Sequence, residues 1–130
     1  MLDILYQDEH LVAINKPSGL LVHRSLIDTR ESEFALQLTR DQIGQRVYPV
    51  HRLDRPTSGV LLFALSSEVA RVLSEQFSQH EVIKNYLALV RGYCRIKGRI
   101  NYPLKEELDK ISGNFSINRG KHWHFLESVL

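Results

Sequence analysis

The chain has 130 residues, 43% of them hydrophobic and 25% charged, which suits a single soluble globular domain and leaves no room for a second folded unit. No apolar run approaches the ~20 residues of a membrane-spanning helix, and Asp3, Asp8 and Glu9 oppose a signal peptide. One cysteine, Cys94, excludes an internal disulfide or a cysteine cluster and points to a reducing, cytoplasmic setting, while a formal charge of +2 is too small to identify a partner by itself.

Residues 2–6 and 11–15 are short apolar runs separated by Gln7-Asp8-Glu9-His10, so they predict a two-stranded hairpin ended by Lys16-Pro17-Ser18-Gly19. From Asp28, a capping-box pattern with Glu31 precedes Phe34, Leu38 and Ile43 on helical spacing, and Gly44 supplies a stop. Residues 47–50 lead into a polar turn, and the unbroken apolar run 60–65 predicts a buried strand. Ser66 or Ser67 can cap a helix in which Val69, Val72, Leu73, Gln76 and Phe77 form one face, ending near His80. Residues 82–93 alternate as a long strand, with Tyr86, Ala88 and Val90 on one face and Leu87, Leu89 and Arg91 on the other. Gly98 marks a turn, residues 100–104 suggest another strand, and residues 106–111 a short helix or polar loop. This order predicts an α+β fold with a mixed, mainly antiparallel sheet and flanking helices.

Between Glu81 and Glu106 there is no acid, whereas Lys84, Arg91, Arg95, Lys97, Arg99 and Lys105 are interleaved with Tyr86, Tyr93 and Tyr102. That pattern suits phosphates plus stackable bases, and equally a solvated strand pair whose cations protect an edge. The densest chemistry lies in residues 51–60, where Asp54 stands between Arg52 and Arg55 at the mouth of the apolar run, with Pro56-Thr57-Ser58-Gly59 as a tight turn. Flanking cations favour an ionised aspartate. The alternative is a salt-bridged surface turn. His23 and His51 are more simply loop histidines than general acids, and Thr57, Ser58 and Gly59 shape the loop. A kinase loop is ruled out because the aspartate sits one place late and no Asp-Phe-Gly or glycine-rich phosphate loop follows. His122 and His124 around Trp123 do not make a metal site, so no metal and no cofactor is expected.

The string His51-Arg52-Leu53-Asp54-Arg55-Pro56-Thr57-Ser58-Gly59-Val60 resembles the signature of pseudouridine synthases of the ribosomal-large-subunit type. Asn15-Lys16-Pro17-Ser18-Gly19 with Leu20-Leu21-Val22-His23 is similar to that family's upstream box, and residues 84–92 to its tyrosine-bearing strand. Residues 22–25 and 104–110 are similar to its small single-domain members that act on tRNA. The resemblance implies that Asp54 is the catalytic carboxylate and that Tyr86 packs on the target uracil and is a candidate acceptor of its C5 proton. It implies that Arg52 fills the space a flipped base leaves, that Lys16 faces the site or a phosphate, and that Arg55 and Lys84 join the RNA-binding set. Whether Asp54 attacks ribose C1′ or takes a proton from C2′ stays open. The expected partner is RNA, in particular tRNA, met by a monomer with no membrane and no metal.

Residues 1–111 are thereby the N-terminal part of such a catalytic domain, and residues 112–130 a divergent tail without the family's later Gly, Arg, His and Gln segment. The expectation is a reading frame truncated or shifted near residue 120, with weak or no activity. The alternative function is a catalytically inactive remnant that at most binds RNA.

Overall fold

The computed structural model describes residues 1–23, 32–93 and 98. The chain divides into two compact units, Met1–Val82 and Ile83–Leu130. The first holds every helix and strand among the described residues, in the order β1 (Asp3–Gln7), β2 (Leu11–Lys16), α1 (Ala35–Ile43), β3 (Tyr48–Pro49), β4 (Gly59–Ala64) and α2 (Ser67–Ser78). The strands make one antiparallel sheet in the order β1-β2-β4-β3, with two helices, which is the expected α+β class.

The β1-β2 hairpin forms because Asp8 builds its turn. Its Oδ1 accepts from the backbone N–H of His10 and of Leu11, each at 2.8 Å, and its Oδ2 accepts from the Tyr6 hydroxyl at 2.9 Å. The two backbone N–H bonds, Leu11 first, hold the Asp8 carboxyl below its ordinary range. A depressed carboxyl contributes stability that is present above the unfolded value, near pH ~4, and is lost as pH falls through the folded one. Asp8→Asn is therefore expected to lose less of its thermal midpoint than the parent between pH 7 and pH ~3, where the parent's turn gives up this term. Equal losses in the two chains, read by circular dichroism, would show that the turn does not depend on the charge.

β2 and β4 run side by side in continuous register from Leu11 opposite Ala64 to Lys16 opposite Gly59. Alternation puts Val12, Ile14, Leu61 and Phe63 on one fully buried face, where they cluster with Leu2, Val22, Ala35, Val47, Leu53 and Leu65. The run 60–65 is buried over most of its length, with Leu61, Phe63, Ala64 and Leu65 buried and Leu62 half-buried, and it is exposed at its first residue, Val60, at 57%. β3 is a two-residue edge strand, where Pro49 is tolerated because an edge needs fewer donors.

Helix α1 begins at Ala35, later than the Asp28 pattern predicted, and Asp28 and Glu31 lie outside the described residues. Its N-cap, Phe34, offers no side-chain bond. Instead the N–H groups of Ala35 and Leu36 donate to the carbonyls of Leu21 and Val22 at 2.8 and 3.0 Å, so a neighbouring chain segment supplies the cap. Gly44 ends the helix in the left-handed conformation, with φ 67° and ψ 22°, as the glycine stop required. Gln42 then ties the helix to the hairpin: its side-chain amide exchanges two hydrogen bonds with the Leu2 backbone, at 2.7 and 2.8 Å.

Helix α2 is capped by Ser66, whose hydroxyl accepts from Val69 N–H at 3.2 Å, and it packs against β4 and β3. Its half-buried stripe is Val69, Leu73 and Phe77 at four-residue spacing, with Ala70 beside them. Val72 and Gln76, predicted on the same face, are exposed.

In the second unit, the described residues 83–93 form no strand, which corrects the expectation for 82–93. Strand assignment rests on a hydrogen-bonded neighbour, and among the described residues none pairs with this segment. The predicted alternation nevertheless survives in the exposures, 37% for Tyr86 and Val90 against 100% and 104% for Leu87 and Leu89. The strand and helix expected over 100–111 and the tail 112–130 lie outside the described residues. Among the described residues no helix is long and apolar enough to cross a membrane.

Candidate active site

Asp54 lies on the loop from β3 to β4, between two segments that the fold holds firmly. On its N-terminal side Leu53 is buried in the core cluster. On its C-terminal side Thr57 N–H donates to the Asp54 carbonyl at 3.0 Å, closing a turn with Arg55 and Pro56 at its corner. The turn thus spans 54–57 rather than 56–59, and Asp54 opens it. Gly59 follows with φ 126°, a conformation open to glycine and strained for other residues, and starts β4.

The upstream box folds directly onto this turn. Gly19 N–H donates to the Arg55 carbonyl at 2.7 Å, and Arg55 Nε returns a bond to the Gly19 carbonyl at 3.1 Å. The Ser18 hydroxyl donates to the Pro56 carbonyl at 2.7 Å. Two motifs more than thirty positions apart in sequence are therefore one structural object, which spacing alone did not reveal.

Lys16, which the resemblance places facing the site or a phosphate, is wholly buried and donates to the turn that carries Asp54. Its Nζ donates to the carbonyls of Pro17 at 2.9 Å, Leu20 at 2.7 Å and Arg55 at 3.3 Å, so all three ammonium N–H groups have a partner. Burial holds the Lys16 ammonium below its ordinary range, and the negative charge of Asp54 works in the other direction. The signal was present in the sequence: Lys16 is in phase with Val12 and Ile14, so the same alternation turns it inward.

Arg52 stands beside the carboxylate, its Nη2 4.0 Å from Asp54 Oδ1, with the arginine side chain 70% and the aspartate side chain 45% exposed. A pair this long and wet contributes little to stability, on the order of 0–1 kcal/mol. It leaves both groups within reach of a ligand. Arg55, expected as the second flanking cation, carries its Nε to the upstream turn as described.

His51 serves the scaffold. Its Nε2 accepts the Leu62 N–H at 3.0 Å, and its ring stacks on Phe77 with centroids 4.6 Å apart and planes 17° apart. A nitrogen that accepts a backbone N–H carries no proton of its own. His23 is exposed. Tyr86 and Lys84 belong to the second unit, where both are exposed. Among the described residues no group of three His, Cys, Asp or Glu side chains is placed to hold a metal ion.

The geometry therefore offers a half-exposed carboxylate on a braced turn with an arginine beside it, next to a box of fixed carbonyls. A family model described as RNA pseudouridylate synthase matches residues 10–125. The chain is 67% identical over 115 residues to tRNA pseudouridine synthase C of Haemophilus ducreyi, covering 88% of this chain and 47% of that protein. It is 66% identical over 116 residues to tRNA pseudouridine synthase C of Haemophilus influenzae, covering 89% and 48%. Among solved structures, human RNA pseudouridylate synthase domain containing 4 aligns with a TM-score of 0.47 and 33% identity, over 61% of this chain and 30% of that one. The chain spans about half the length of the curated relatives it matches. Matched by the family model over nearly its whole length, this chain belongs to the RNA pseudouridylate synthase family.

Proposed function

We propose that this chain acts in the isomerisation of a uridine in tRNA to pseudouridine, with Asp54 as the catalytic carboxylate. The observation that carries the reading is the Asp54 turn: a carboxylate open to a ligand, on a backbone fixed from both sides. The substrate class follows the relatives, which are named for tRNA. The reading takes the chain as a monomer that works in the cytoplasm.

The reaction breaks the bond between ribose C1′ and uracil N1, turns the base over, joins C1′ to C5, and moves the C5 proton to solvent while N1 gains one. No electrons are exchanged with an outside partner. An ionised Asp54 can serve in either of two ways. It can attack C1′ and hold the sugar as an ester while the uracil rotates, or take the C2′ proton so that a glycal forms and is reprotonated after C5 attacks. A braced turn serves both, because each needs the carboxylate oxygen at the sugar with little reorganisation. A uridine in a stack is out of reach, so the base must leave it, and Arg52, mostly exposed beside Asp54, is the group suited to the vacated space. Lys84 and Arg55 are each assigned to phosphates, and Tyr86 to the target uracil, as the family resemblance implies.

A second reading, an RNA-binding chain without turnover, is favoured by one observation. Tyr86 lies in a segment with no strand partner among the described residues, followed by the exposed Leu87 and Leu89. Tritium release from tRNA labelled at uridine C5 decides between the two. The purified chain is expected to release tritium in proportion to pseudouridine formed; a folded chain that binds tRNA and releases none would leave only the second reading.

A further inference from the structure

Lys16 has no part in the chemistry just described, yet it is one of two buried polar side chains among the described residues, and the only charged one. It ends β2 opposite Gly59, so no side chain stands across from it in the ladder. An ammonium with three donors meets three carbonyls, two from its own turn and one from Arg55, the residue after Asp54. The Arg55 carbonyl accepts from the Gly19 N–H as well, so two donors converge on the peptide that follows the carboxylate. A charge withdrawn from water needs this saturation, because each unmet donor would remain desolvated.

We propose that Lys16 is a positioning residue: its buried ammonium clamps the 16–20 turn to the Asp54 turn through the Arg55 carbonyl, fixing where the carboxylate stands, and it does not contact RNA. The kinetic half of the proposal rests on the reading of Asp54 as the catalytic carboxylate. The structural half rests on the clamp alone. Ser18 and Gly19 close the same junction from the outside, but their bonds link backbone and hydroxyl groups at the surface, whereas Lys16 links the junction to the core strand.

The test uses the full chain and Lys16→Met, which keeps the length and apolar stem and removes the charge and donors. Amide hydrogen exchange is read at Gly19 and Thr57, the two N–H groups of the junction, against Ile14 in β2. The variant is expected to lose about tenfold in protection at Gly19 and Thr57 relative to Ile14, since only the local clamp is released. In the tritium assay kcat is expected to fall about 100-fold, the scale of a misplaced catalytic group, with KM and tRNA affinity changed less than about twofold. A merely structural lysine would lower protection at all three amides together, which overturns the proposal. So does a tenfold loss of tRNA affinity with junction protection intact, the mark of a phosphate contact.

If Lys16→Met does not fold, the parent decides through ¹⁵N spectra of its lysine ammonium groups. One ammonium with slowly exchanging protons, coupled to the carbonyl carbons of Pro17, Leu20 and Arg55, is expected. A Lys16 ammonium in fast exchange with water overturns the clamp. Should the parent release no tritium while the exchange and ammonium results stand, the reading of Asp54 falls and the clamp remains.

Discussion

Asp54→Ala is expected to lower tritium release by about 10⁴-fold or more, the scale on which loss of a reacting group reads out in enzymes. Binding of tRNA should persist almost unchanged, because phosphate contacts supply most of nonspecific RNA affinity and a carboxylate supplies none of them. The fold should persist too. Asp54 is nearly half exposed and its pairing with Arg52 is long, so little of the buried core rests on its side chain. Its main-chain carbonyl, which does brace the turn through Thr57, is kept in any substitution. Asp54→Asn is the sharper variant, since it preserves shape and removes only the charge and basicity. Either variant retaining a tenth of the parent's release in a discontinuous assay, with mass spectrometry confirming the substitution, would remove Asp54 from the chemistry.

The second large effect concerns the sheet that carries the turn. Phe63 is fully buried on β4, opposite Val12, in the cluster that also anchors Leu53 beside Asp54. Phe63→Ala is expected to cost about 3–5 kcal/mol, from lost transfer energy plus the cavity left behind. Against a whole stability of about 5–15 kcal/mol, that places the variant near the folding threshold. Val60→Ala, three positions away on the outward face and mostly exposed, is expected to change stability by less than about 1 kcal/mol. Urea unfolding of both variants beside the parent measures the contrast in midpoint. Equal midpoints would mean that Val60 and Phe63 are buried alike, contrary to their exposures.

What could be read in the chain follows from how local each signal is. The β1-β2 hairpin was legible because Asp8 caps its own turn within three residues and the apolar runs lie on either side. The α2 cap at Ser66 and the α1 stop at Gly44 were legible for the same reason, being bonds or dihedrals of a few adjacent residues. The start of α1 was not, because its first N–H groups find carbonyls at Leu21 and Val22, supplied by the tertiary path of the chain. Composition made the run 60–65 look buried throughout, and only the placement of neighbours sends Val60 outward. Alternation over 82–93 persists as a pattern of exposure without becoming a ladder, since a pattern determines the faces of a strand and not its partner.

The candidate site divides along the same line. The sequence by itself determined the family, by three motifs in order, and singled out Asp54 with Arg52 beside it, because residue identity and close spacing survive any fold. Only the tertiary structure decided that the box at Lys16 and the turn at Asp54 are one junction, and that Lys16 points inward to saturate its ammonium on three carbonyls. Those bonds join positions up to 39 residues apart. No local rule reaches that far, whereas the pairing of β2 with β4 brings the two segments together at the Lys16–Gly59 end of the ladder.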